Sequence, residues 1–89
     1  MARTITMEDV KRALREGSGV DAGVDLDRDV HEKTFRDLGY DSLAVLETGL
    51  RLSRENDVDI DDEVFTDLET PQQLLEQVNH ALAAKGAIA

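Results

Sequence analysis

Apolar positions recur at helical spacing in three stretches of the chain and at no sustained spacing between them. Met7, Val10 and Leu14 keep intervals of three and four behind Thr6, with Glu8 and Asp9 in the first turn, so a helix is predicted over 7–16 and stopped by Gly17-Ser18-Gly19. A second runs from Ser42 to about Glu55. The third has the clearest opening: Thr70 as N-cap, Pro71 at the first helical position and Gln73 closing a capping box. Leu74, Leu75, Val78, Ala81 and Leu82 then follow at helical intervals, and the pattern ends near Lys85-Gly86. A shorter helix is predicted over 61–67, with Asp61 as cap and Val64, Phe65 and Leu68 turned inward. Residues 17–40 carry glycines and scattered Val20, Val24, Leu26, Val30, Phe35 and Leu38, which reads as a long ordered loop pinned by apolar side chains. Such loops usually mark function or a missed element. The expected fold is all-α, a bundle of three main helices plus one short helix with a long first loop, in a single domain over 1–89.

The second helix has two apolar stripes. At roughly 100° per residue, Leu43, Leu46 and Leu50 share one sector and Val45, Gly49 and Leu52 fall nearly opposite, with Thr48 beside them. So small a domain cannot bury both, and one stripe is left for a binding surface. Periodicity does not decide which. Gly49 costs its helix about 1 kcal/mol relative to alanine, so either a close backbone approach or spare volume lies beside it.

Composition narrows the chemistry. Eighty-nine residues support one modest core, and 40% hydrophobic content with two Phe, one Tyr and no Trp makes that core Leu, Val and Ala. With no cysteine, any thiol must arrive on something attached. The first nine residues have no apolar leader, and no stretch approaches the ~20 apolar residues of a membrane span, so a soluble, cytoplasmic protein is expected; a monomer is expected as well. A net charge of −10 disfavours nucleic acid and anionic membrane and points to a basic protein partner. The excess is local: residues 37–69 hold eleven acids and two bases. By itself the acidic run over 55–69 reads as a solvated loop; beside Ser42 it reads as a docking field.

Intrinsic catalysis is not supported. Asp57-Val58-Asp59-Ile60-Asp61 imitates the start of a calcium loop, but Asp62 stands where glycine is needed and Leu68 where a bidentate glutamate should be. Asp25-Leu26-Asp27-Arg28-Asp29 fails likewise, at Val30 and Arg36. No metal site is expected. The serine lacks the Gly-x-Ser-x-Gly spacing of a hydrolase elbow, and His31 and His80 read as surface or boundary residues.

What stands out is Leu38-Gly39-Tyr40-Asp41-Ser42-Leu43, which puts one serine at the start of a helix behind a glycine turn and a capping aspartate. This run resembles the phosphopantetheine attachment motif of acyl carrier proteins. With Tyr40 before it, Ala44 after it and the Thr70-Pro71 opening, it is most similar to the carriers of dissociated aromatic polyketide synthases. The resemblance implies an acyl-carrier-like bundle with 4'-phosphopantetheine esterified to Ser42, and with Asp41 and Leu43 completing the motif. It assigns Leu43, Leu46 and Leu50 to partner binding, where Glu47 and the acidic stretch nearby are expected to join them, and Val45, Thr48, Gly49 and Leu52 to the interior, where spare volume would form an acyl-chain cavity. The implied partners are a phosphopantetheinyl transferase, ketosynthase and chain-length factor, malonyl transferase, ketoreductase and cyclases. The implied function is to hold polyketide intermediates as thioesters while other proteins catalyse. Alternatives are a fatty acid carrier, from which Arg51 and Arg54 depart, a peptidyl carrier, and a non-carrier acidic helical adaptor.

Overall fold

The computed structural model describes residues 4–18, 30 and 33–88. Four helices are present among them, α1 (Met7–Ser18), α2 (Ser42–Glu55), α3 (Asp62–Thr66) and α4 (Pro71–Ile88), and no strand. α1 packs on α2 and α4, and α2 also meets α3 and α4. Between them lies one core of Val10, Ala13, Leu14, Phe35, Leu38, Val45, Leu52, Phe65, Leu74, Val78 and Leu82.

The predicted starts are built as their sequences require. The Thr6 N–H donates to the Asp9 carboxylate at 2.9 Å, while the Thr6 carbonyl accepts from the Asp9 N–H at 3.0 Å. At α4, Thr70 Oγ1 accepts the Gln73 N–H at 3.2 Å and Gln73 Oε1 accepts the Glu69 and Thr70 N–H groups at 2.7 and 3.3 Å. Both ends run further than expected. α1 continues through Gly17 to Ser18 and α4 through Gly86 to Ile88, because one glycine near a helix end costs too little to stop a helix. α3 is shorter than 61–67, and Asp61 precedes it without a side-chain capping bond. Phe65 is buried as expected, Leu68 packs on the core from a half-buried position, and Val64 stays half-buried.

Polar contacts then fix how the helices meet. Asn79 on α4 clamps Ile5, accepting its N–H at 2.7 Å and donating to its carbonyl at 3.1 Å. Arg12 on α1 grips Glu55 on α2 with two bonds of 2.8 and 3.1 Å, and Arg51 reaches Glu16 at 3.4 Å. The Arg12 hydrogen bond holds Glu55 below the usual carboxylate range, against the opposing effect of desolvation and with help from the charges of Arg12 and Arg51. Lys85 donates to the carbonyl of Asp57 and meets its carboxylate at 3.1 Å, pinning α4 to a residue at φ 54°. Val30, Phe35 and Leu38 anchor the long first connection as buried side chains. Val20, Val24, Leu26 and His31 lie outside the described residues.

Candidate functional site

A tight turn aims the serine. Thr34 Oγ1 accepts the Asp37 N–H at 3.1 Å, and the Phe35 carbonyl accepts the Tyr40 N–H at 2.9 Å. Gly39, at φ 90°, reverses the chain in a conformation that a side chain would strain. The Phe35 N–H donates to the Glu69 carbonyl at 2.8 Å, which ties this turn to the start of α4. Phe35 and Tyr40 meet edge to face, with centroids 6.4 Å apart, and both are buried. The residue after Tyr40 is therefore held at a fixed point on the surface.

That residue is Asp41, extended at φ −86° and ψ 178°, whose Oδ1 accepts the Ala44 N–H at 2.8 Å. Ser42 opens α2 and is exposed. Helix geometry leaves the Ser42 and Leu43 amides without an intrahelical acceptor, and the positive end of the dipole lies here, so a phosphodiester on the hydroxyl meets favourable charge. The residues present fit the attached group named by the sequence motif.

Burial separates the two stripes of α2. Val45, Thr48, Gly49 and Leu52 are buried, whereas Leu43 is 59% exposed, the one exposed large hydrophobic residue described. Glu47 is exposed, and Leu46 and Leu50 are half-buried against the core edge. The burial of Val45, Thr48, Gly49 and Leu52 agrees with the interior assignment, which periodicity left open.

The interior carries a correction. Spare volume beside Gly49 was one of two expectations, and close approach is what occurs: a Cβ there would lie 2.5 Å from the Phe65 ring. Thr48 Oγ1 donates to the Ala44 carbonyl at 2.8 Å, and Leu52 is fully buried. Thr48, Gly49 and Leu52 thus close a packed wall. Of the four residues expected to border a chain cavity, Val45, one turn from Ser42, lines a concavity of about 400 Å³ together with Thr34, Phe35, Arg36, Tyr40, Leu68 and Glu69. Sequence reasoning missed these lining residues. The buried Phe35 and Leu38 gave a weak signal, but no local pattern predicts that the turn meets Glu69.

The acidic run also divides. Glu55 and Asp57 are engaged by Arg12 and Lys85, while Asp59, Asp61, Asp62, Glu63, Asp67 and Glu69 are exposed. His80 is exposed on α4. Among the described residues, no helix is long and apolar enough to cross a membrane.

Fold and site together define a small helical carrier that offers one serine at a capped helix start. Residues 8–78 match the family described as "Phosphopantetheine attachment site". The acyl carrier protein of the actinorhodin polyketide synthase from Streptomyces coelicolor is 45% identical over 83 residues, covering 93% of this chain and 96% of that protein. The oxytetracycline polyketide synthase acyl carrier protein of Streptomyces rimosus is 38% identical, over 88% of this chain and 82% of that one. The solved holo form of the actinorhodin carrier superposes with a TM-score of 0.82 at 44% identity, covering 94% of this chain and 98% of that one. The chain belongs to the phosphopantetheine-binding acyl carrier proteins of type II polyketide synthases. It is a carrier and not a catalyst: its prosthetic group is a covalent 4'-phosphopantetheine, and it works with synthase enzymes.

Proposed function

We propose that Ser42 is the sole attachment point, and that residues 1–89 act as one carrier domain for growing aromatic polyketide intermediates in the cytoplasm. The observation that carries this reading is the exposed serine at the first position of α2, directly behind the Asp41 cap. In loading, Ser42 Oγ would attack the pantetheine-side phosphorus of coenzyme A's pyrophosphate within a phosphopantetheinyl transferase, the P–O bond to adenosine 3',5'-bisphosphate breaking and the hydroxyl proton passing to a transferase base, and the α2 amides would hold the resulting phosphodiester. When bound, the group supplies a flexible arm ending in the thiol that the chain itself lacks. Ser42 fixes its root, Asp41 holds the helix end that receives the phosphate, and Leu43 with Asp41 completes the motif that the transferase reads.

Leu43, Leu46, Glu47 and Leu50 form the partner face. The apolar centre supplies binding energy, and the charge around it sets encounter and register. Partners presented with this face are the transferase, ketosynthase with chain-length factor, malonyl transferase, ketoreductase and cyclases. An attached chain folding back onto the protein would meet the concavity beside Val45, one turn below Ser42 on the same side, rather than the wall at Gly49.

Incubation with coenzyme A and a transferase, followed by mass analysis, tests the assignment. The Ser42 peptide gains one phosphopantetheine group, and Ser42→Ala gains none while changing stability by no more than about 0.5 kcal/mol. Loading of Ser42→Ala would overturn it.

A further inference from the structure

The outward stripe of α2 changes sign along its length. Leu43, Glu47, Leu50 and Arg54 are spaced by four, three and four residues, so they fall within a sector of about 60° and span about 16 Å of helix axis. From the Ser42 end the stripe reads apolar, acidic, apolar, basic. Leu43, Glu47 and Arg54 are exposed, and Leu50 is half-buried. Arg51, the other base of α2, is held by Glu16 at 3.4 Å, whereas Arg54 makes no ion pair among the described residues. Glu47, Leu50, Arg51 and Arg54 border a concavity of about 240 Å³ that Gly17 of α1 closes from below, a space that fits one side chain of a partner.

An exposed free base is unexpected in the most acidic third of a chain of net charge −10. A stripe bearing only acids would meet a basic partner equally well in either direction along the helix. With a base at the far end, the reversed orientation sets Arg54 against the partner's cations and Glu47 against its anion, and like charges in close apposition disfavour it. We propose that Arg54 is a specificity-determining residue that pairs with a carboxylate on the synthase partner, entering the concavity, so that α2 docks in one direction with Ser42 at the active-site entrance. The occupant is an acidic side chain on a partner surface that also offers a base to Glu47, about 10 Å nearer Ser42 along the helix. This inference rests on Ser42 being the loaded residue.

The test uses the holo protein and, as probe, the ketosynthase with its chain-length factor purified from the producing organism. Acyl-transfer rates are measured against carrier concentration at low and at near-physiological salt. Arg54→Glu is expected to raise KM about fivefold at low salt with kcat within about twofold, and Arg54→Lys to stay within about twofold of the parent. The Arg54→Glu penalty should shrink as salt rises, because the pair is exposed. An Arg54→Glu protein with unchanged KM at low salt overturns the proposal. So does equal damage from Arg54→Lys and Arg54→Glu, which would mark a packing role rather than a charge pair. Mass analysis of each variant after loading separates this failure from failure of the attachment site: a Ser42 that takes no arm refutes the earlier reading, whereas a fully loaded Arg54→Glu with parental KM refutes only this one.

Discussion

Along α2, Val45, Thr48, Gly49 and Leu52 face the core while Leu43, Glu47 and Arg54 face away, with Leu50 half-buried at the core edge, and leucine occurs on both sides. What separates them is what stands opposite. The inner side meets the fully buried ring of Phe65 so closely that only glycine fits at position 49. On the outer side, among the described residues, Leu43 is left 59% exposed, and the charges beside it are those proposed to meet a partner. Inner residues should therefore answer to substitution in stability, and outer residues in transfer.

The strongest challenge to that contrast is Phe65→Ala, which removes the ring around which α2 and α3 close. It should cost about 3–5 kcal/mol by chemical denaturation, and a loss below about 1 kcal/mol would mean that the inner face is loosely packed. Gly49→Ala comes next. The helix gains about 1 kcal/mol from alanine's propensity, but a Cβ 2.5 Å from a buried ring that has no free end to move forces overpacking. A net destabilisation of about 1–2 kcal/mol is expected; a stabilised Gly49→Ala would restore spare volume as the reason for the glycine.

Asp41→Ala should cost about 1 kcal/mol through loss of the bond to the Ala44 N–H, and Asp41→Asn, which keeps a capping oxygen, should recover most of it. Loading rates of the two variants then sharpen the comparison by dividing the cap's structural part from recognition of its charge. On the outer face, Glu47→Lys should leave the unfolding midpoint unchanged while slowing transfer at low ionic strength. Unaltered transfer with every synthase partner would remove Glu47 from the docking face.

The smallest effect belongs to the joint between α1 and α2. Glu55 titrates below the usual carboxylate range when folded, so its contribution is full above the unfolded value and is lost as pH falls through the lower folded one. Because both side chains remain substantially exposed, the contribution is no more than about 1 kcal/mol. Urea unfolding of the parent and Glu55→Gln, compared at neutral and acid pH, should show a difference near neutrality that vanishes in acid. A difference that persisted at acid pH would assign Glu55 a packing role instead.

Much of this is legible in the chain itself. Thr6 with Asp9, Asp41 ahead of Ser42, and Thr70 with Gln73 are local capping signals, satisfied within three or four residues, and local chemistry needs no knowledge of the rest of the fold. For the same reason the serine and its motif can be located from the order of residues alone. The helix ends expected at Gly17 and Gly86 fall a residue or two short of the observed ones because a single glycine in the last turn costs a helix only about 1 kcal/mol, too little to end it at that residue.

Tertiary structure decided everything that depends on residues distant in sequence. Gly49 is a close approach rather than a void because Phe65, sixteen positions later, fills the space, and the cavity near Ser42 exists because a turn at 34–40 bonds to Glu69. Which stripe of α2 turns outward is likewise a matter of what packs on the other. Periodicity fixes the angle between side chains on one helix but carries no information about the neighbour that covers them, and that neighbour determines which face is core and which is left for a partner.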